Sequence, residues 1–357
     1  MTLTFNERMA KATRLTKAGR LSEALALVRG QTGAAVTADQ SGTRLVLNGL
    51  GQLLRRTIER PLQTPEEATG AVAAKPARFD RHTFANDAGS RSYRLYVPAS
   101  ARAANQPLPL IVMLHGCSQS PEDFAAGTRM NALAEEYCFL VAYPGQTSSA
   151  NPAKCWNWFE HGEQVRDRGE PSLIAGITRE IMRTHKVDAS RVYVAGLSAG
   201  GAAAAIMGQA YPDLYAAIGV HSGLACGAAR TMGEAFGAMS KGGAPAAKNR
   251  ARPLPTIVFH GDSDHTVSHL NGDHVIAQSK AEGVFVPKVD HGRSAGGVAY
   301  TRTVQANRSG QVVLEQWVLH GSGHAWSGGH GSGSFTDPRG PDASREMVRF
   351  FLSHARS

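Results

Sequence analysis

Val192-Tyr193-Val194-Ala195-Gly196-Leu197-Ser198-Ala199-Gly200-Gly201-Ala202-Ala203-Ala204-Ala205 is the stretch on which the fold turns. A short apolar run rich in strand formers enters a serine flanked by small residues and leaves as an alanine-rich segment. That order of textures predicts a strand, a sharp turn and a helix. A turn so tight crowds the backbone, so only small side chains fit beside Ser198, and its hydroxyl is left exposed at the helix N-terminus. Gly-x-Ser-x-Gly alone is a weak pattern in a glycine-rich chain; its strand-turn-helix setting makes it specific.

Outward from this turn, the runs 111–114, 139–143, 216–220 and 257–259 are continuously apolar, as strands buried on both faces are, and 93–97 suits an early antiparallel strand. Residues 172–184, 199–211 and 344–352 carry helical spacing. Strand and helix in alternation predict an α/β protein, a doubly wound, mostly parallel sheet with helices on both faces. Its ligand site is expected at the carboxyl ends of the strands.

A serine hydroxyl becomes a useful nucleophile only when a base takes its proton and an acid orients that base, here in the chain order Ser, Asp, His. After the run 256–259 stands His260-Gly261-Asp262-Ser263-Asp264-His265-Thr266-Val267, with two acidic candidates. The Asp-x-x-Val frame favours Asp264, and Asp262 suits a turn-stabilising role. Of fourteen histidines, His324 in His320-Gly321-Ser322-Gly323-His324-Ala325-Trp326 has the glycine-rich loop that lets an imidazole reach the serine, with His320 and His330 as rivals. His115, His221 and His260 each end an apolar run and are expected as hydrogen-bonded core residues. For the oxyanion of a tetrahedral intermediate, the N–H of Ala199 is one expected donor, and the loop after Leu114 offers the N–H of Cys117 as the other.

Apolar residues make up 42% of the 357 residues and charged residues 19%, with a net charge of +9 and 39 glycines. Those values exclude a disordered chain, and no apolar run approaches the ~20 residues that cross a bilayer. The basic residues form no stripe, so no nucleic-acid partner is expected. Four cysteines are too few for a disulfide scaffold, and neither a paired Cys-x-x-Cys nor a His-Glu-x-x-His predicts a metal; no cofactor is expected. Residues 1–60 read as a helical extension, with Phe5, Met9, Ala12 and Leu15, then Leu21, Leu25 and Val28, at amphipathic spacing. A linker over 61–78 carries Pro61, Pro65 and Pro76, and the catalytic domain spans 79–357. The N-terminal helices are expected to pack on the enzyme body or on a second copy, giving a homo-oligomer; tethering to a polyester granule is the alternative. With no leader visible in residues 1–30, a cytoplasmic location is expected, and an extracellular one is the alternative.

His115-Gly116-Cys117-Ser118-Gln119-Ser120, Cys155-Trp156-Asn157-Trp158-Phe159, Gly196-Leu197-Ser198-Ala199-Gly200-Gly201, Gly219-Val220-His221-Ser222-Gly223 and Gly323-His324-Ala325-Trp326-Ser327-Gly328-Gly329, in this order, resemble the esterase family of poly(3-hydroxybutyrate) depolymerases, which also contains feruloyl and acetylxylan esterases. The likeness runs from about Tyr93 to the C-terminus. It implies an α/β-hydrolase fold, with Ser198 as nucleophile, Asp264 as acid, His324 as base and an oxyanion hole at Cys117 and Ala199. The implied substrate is a poly- or oligo(3-hydroxybutyrate) or a related polyester, with feruloyl or acetylxylan esters as the alternative. At least one of Trp156 and Trp158 is expected to wall the acyl pocket, the alternative being that both pack the loop. A bond between Cys117 and Cys155 would join the oxyanion loop to the aromatic loop and imply an oxidising compartment. Cys138 stands where the family commonly has glycine and is expected as a small core residue; Cys138 and Cys226 are expected to stay unbridged.

Overall fold

The computed structural model describes residues 76–356, apart from residues 103, 105, 246–253 and 281–285. The expected N-terminal helices and most of the linker lie outside the described residues. The first two strands, β1 (Arg78–Asn86) and β2 (Gly89–Val97), form a hairpin in register from Arg78 opposite Val97 to Asn86 opposite Gly89. Alternation along β2 buries Arg91, Tyr93, Leu95 and Val97 and leaves the residues between them half-exposed. It is the period-2 pattern of a strand covered on one face.

The central strands are β3 (Leu108–Leu114), β4 (Leu140–Pro144), β5 (Val187–Leu197), β6 (Ala217–His221) and β7 (Thr256–Gly261). Beyond them come β8 (Val286–Arg293), β9 (Ala299–Ala306) and β10 (Val312–Leu319). The ten strands form one sheet in the order β1-β2-β4-β3-β5-β6-β7-β10-β9-β8. Its six inner strands from β4 to β10 are parallel; β2 joins β4 antiparallel and β9 joins β10 antiparallel. All seven residues of β3 are buried, because both faces of the sheet are covered.

The helices are α1 (Pro121–Thr128), α2 (Met130–Tyr137), α3 (Gly169–Thr184), α4 (Ala199–Ala210), α5 (Met232–Lys241), α6 (Leu270–Ser279) and α7 (Ala343–Leu352). On one face Leu110, Val112 and Leu114 meet Ile174, Ile177 and Ile181 of α3 and the alanines of α4. On the other, Ile111 and Met113 join Phe124, Met130 and Leu133 with Met347, Phe350 and Phe351 of α7. Successive β3 side chains thus feed the two cores in turn.

Cys138 packs partly buried against the core, and it is also the cap of α2. It sits at φ +56° as the left-handed cap of α2, and its N–H donates to the Ala134 carbonyl. Only half-buried, it occupies a conformation that glycine adopts more easily.

Candidate active site

The strand β5 ends at Leu197 and α4 begins at Ala199, so Ser198 alone makes the turn, at φ +57° and ψ −120°. Such a backbone is costly for a residue with a Cβ and persists only where its surroundings hold it. Here they do. The Ser198 N–H donates to the His221 carbonyl at 2.9 Å, and a Cβ on Gly200 would stand 2.0 Å from the Leu114 carbonyl oxygen. A Cβ on Gly196 would stand 2.4 Å from Gly200. The glycines of the turn are therefore a packing requirement of β3 against α4, and α4 is buried along nearly its whole length, hence its alanines.

β7 and β10 are neighbours in the sheet, which brings the loops after them together. Asp264 follows the first and His324 the second, and Nδ1 of His324 lies 2.6 Å from Oδ2 of Asp264. The other carboxylate oxygen accepts the N–H groups of Thr266 and Val267, each at 2.8 Å. Burial by itself pushes the Asp264 carboxyl up, but hydrogen bonds from His260 and His324 outweigh it and hold the group well below the usual carboxylate range. Facing a carboxylate, Nδ1 of His324 carries the proton, so Nε2 is left as an acceptor. Ser198 and His324 line one cavity of about 470 Å³ with Gly116, Cys117, Lys154 and Phe335 among others.

The rival residues are occupied elsewhere. Asp262 holds His320, Oδ2 to Nδ1 at 2.8 Å, and accepts the Gly321 N–H at 2.7 Å. His330 bonds the Ser332 hydroxyl on the surface. His221 is buried, stacked between Phe259 and Trp326, and its Nε2 accepts the Ser327 N–H at 3.0 Å. Burial pushes it down to about 3, and His115 likewise to about 4, so both stay neutral. His260 turns Nε2 to the Val267 carbonyl at 2.9 Å and stands 3.5 Å from Asp264 Oδ2, bracing the carboxylate from behind.

The loop after β3 passes close over the serine: a Cβ on Gly116 would lie 3.6 Å from the Ser198 Cβ. Among the described residues, neither the Cys117 nor the Ala199 N–H is engaged by a protein acceptor outside its own helix. Cys117 and Cys155 are joined by a disulfide, and Cys138 and Cys226 are free. Ser118 N–H donates to the Ala153 carbonyl at 2.6 Å, a second tie between the same two loops.

The two tryptophans part company. Trp158 lines a narrow apolar recess of about 40 Å³ beside Ser198, with Phe159, Leu224, Met232, Phe236 and Val267. Trp156, for which a pocket wall was the expectation, is fully buried behind the loop, its indole N–H donating to the His115 carbonyl at 3.1 Å. A side chain that must satisfy its own N–H in the core takes the position where a carbonyl waits.

Sequence reasoning missed the buried polar hub that holds this loop. Glu170, at the start of α3, accepts from the Asn157 N–H and from its side-chain amide, both at 2.8 Å, and from the Gln146 amide, with Arg91 3.6 Å away. Gln146 in turn donates to the Cys155 carbonyl at 3.0 Å. The one available signal was Asn157, a polar residue inside an otherwise apolar cluster. Among the described residues no group of three or more metal-ligating side chains gathers, and no helix is long and apolar enough to cross a membrane.

Comparison with known proteins gives the same outline. The family "Esterase PHB depolymerase" matches residues 91–302. Poly(3-hydroxyalkanoate) depolymerase C of Paucimonas lemoignei is 34% identical over 263 residues, 70% of this chain and 62% of that protein. Feruloyl esterase B of Neurospora crassa is 33% identical over 133 residues, 37% of this chain and 44% of that one. The chain thus spans 62% or less of the length of these curated relatives. An acetyl xylan esterase from Aspergillus awamori shares the fold at a TM-score of 0.55 and 19% identity, over 74% of this chain and 94% of its own.

Proposed function

The chain belongs to the esterase family of PHB depolymerases, and from that premise we propose that it hydrolyses carboxylic esters through Ser198, His324 and Asp264, with linear esters of 3-hydroxybutyrate as its substrates. The observation that carries the proposal is the 2.6 Å contact from His324 to a buried carboxylate, in a cavity that His324 shares with a serine held in a strained turn.

In this mechanism His324 Nε2 takes the Ser198 proton as Oγ attacks the ester carbonyl. The oxyanion that forms is received by the N–H groups of Cys117 and Ala199, neither of which bonds a loop or side-chain acceptor among the described residues. Protonated His324, steadied by Asp264, gives its proton to the departing alcohol, and an acyl group stays on Ser198. Water, activated by the same imidazole, then releases the acid. Asp264 keeps its charge throughout, because its hydrogen bonds favour the carboxylate.

The substrate class rests on the shape of the site and on the 34% identity to a polyhydroxyalkanoate depolymerase. A recess of about 40 Å³ beside Ser198 suits a short aliphatic acyl branch and leaves little room for an aromatic one. Initial rates on 3-hydroxybutyrate oligomers, methyl ferulate and acetylated xylose test it. The proposal expects the oligomers to have the highest kcat/KM, and a higher value for the feruloyl or acetyl ester overturns it in favour of the other family activities.

A further inference from the structure

The two cavities meet at Ser198 and differ in chemistry. The smaller recess is walled by Trp158, Phe159, Leu224 and Phe236, and His324 does not line it. The larger cavity is lined by His324. The general acid must hand its proton to the departing alcohol, so the alcohol half of the substrate lies on the His324 side and the acyl half in the apolar recess.

Among the described residues that line the cavity on that alcohol side, Lys154 alone carries a full positive charge, and no aspartate or glutamate is with it. Lys154 takes part in none of the ion pairs among the described residues. It is next in sequence to the bridged Cys155, and its backbone is held at φ +52°, with its N–H bonded to the Asn151 carbonyl at 2.8 Å. The constrained backbone fixes the point on the cleft rim from which the exposed Lys154 side chain reaches into the cavity. Its charge is close enough to His115, directly before the oxyanion loop, to disfavour a proton there. Across the same cavity Phe335, 47% exposed and also at φ +52°, offers an apolar face.

We propose that Lys154 receives a free carboxylate on the alcohol half of the substrate, so that the enzyme acts preferentially on acid-ended oligoesters and releases the hydroxy acid at the carboxyl end. The proposal rests on the polyester reading above. Hydrolysis of the last ester of a 3-hydroxybutyrate oligomer leaves as its alcohol product a hydroxy acid that carries the terminal carboxylate. That alcohol occupies the side where Lys154 stands, and Phe335 supports the short carbon chain between the two functional groups. Attraction between a cleft cation and a substrate anion raises the encounter rate and steadies the bound end, and salt weakens it.

The test compares a 3-hydroxybutyrate trimer with a free carboxyl end and the same trimer capped as a primary amide, in wild type, Lys154→Met and Lys154→Arg, with products resolved by chromatography. At low salt the wild type is expected to show a kcat/KM about three- to tenfold higher for the free acid. That ratio should shrink toward one in Lys154→Met, be kept in Lys154→Arg, and fall as salt is added. A wild-type ratio of one or less, or a ratio that survives Lys154→Met, overturns the proposal. If neither trimer is cleaved while p-nitrophenyl butyrate is, the polyester reading falls and this inference with it; if both trimers are cleaved equally, this inference alone falls.

Discussion

Removing both half-cystines at once, Cys117→Ala with Cys155→Ala, tests stability and catalysis in a single protein. The bridge closes a loop of 38 positions. The loop-entropy relation puts its contribution at about 4 kcal/mol, through the freedom it denies the unfolded chain. For domains somewhat smaller than this one, each kcal/mol moves the melting temperature by about 2–4 °C, so a fall on the order of 8–16 °C is expected. The loss of rate should be smaller than deletion of an oxyanion donor. The Cys117 N–H belongs to the backbone and survives the substitution, and Ser118 to Ala153, Trp156 to His115 and Gln146 to Cys155 still tie the two loops. Since a whole donor is worth about 10²–10³ in kcat, loosening one should cost on the order of tenfold, in kcat more than in KM. Differential scanning fluorimetry and initial rates on p-nitrophenyl butyrate, taken well below both melting points, read the two effects. A melting temperature lowered by under about 2 °C would refute the loop argument, and an unchanged kcat would refute the link between the bridge and the oxyanion site.

Four further outcomes are expected. Asp264→Asn should lower kcat by up to ~10⁴, because the amide can hold the imidazole in the wrong tautomer, while Asp262→Asn, which loses only the His320 contact, should cost far less; the reverse order in steady-state rates would move the acid to Asp262. Glu170→Gln should destabilise by about 1–3 kcal/mol in urea unfolding at about pH 5, since the amide nitrogen that replaces Oε2 cannot accept the Asn157 N–H, whereas a carboxyl oxygen, protonated or not, keeps a lone pair for it. Burial pushes the Glu170 carboxyl up to about 7 from 4.5, so its share of stability is full below pH 4.5 and is lost as pH rises through 7; Asp264, held below its ordinary 3.8, contributes above that pH and loses its share in stronger acid. Melting temperature should therefore decline from about pH 5 to 8, with a flatter profile in Glu170→Gln. Gly200→Ala should fail to accumulate as folded protein, since its Cβ would stand 2.0 Å from the Leu114 carbonyl; near wild-type yield and melting temperature would show the turn to be looser than described.

The parts of the candidate site that follow from local rules were legible. Ser198 is announced by its small flanking residues, because the turn tolerates nothing larger, and Asp264 and His324 by the loops that follow apolar runs. The parallel core was legible for the same reason: strands covered on both faces are apolar throughout, as in β3. Strands at the margins were not. β8 is exposed along most of its length, so its composition carries no burial signal, and β9 is mostly half-buried. Trp156 and Trp158, two residues apart, looked alike in sequence and differ in fate because one indole N–H finds the His115 carbonyl in the core. The hub at Glu170 joins residues from four separate segments, Arg91, Gln146, Asn157 and Glu170, and nothing in any one of them points to the others. Cys138 shows the opposite case. Its position was noticed, but only the left-handed turn at the end of α2 explains why glycine suits it.

In the proposed mechanism the acyl group is carried on Ser198 Oγ. A fluorophosphonate esterifies a serine only where a base and an oxyanion site activate it, so incubation with one equivalent, followed by peptide mass spectrometry, reads the claim directly. One adduct on the peptide containing Ser198, formed in step with loss of esterase activity and absent from Ser198→Ala, is the predicted result. An adduct on another residue with Ser198 unmodified, or a Ser198→Ala protein that keeps more than about a hundredth of the wild-type rate, would contradict it.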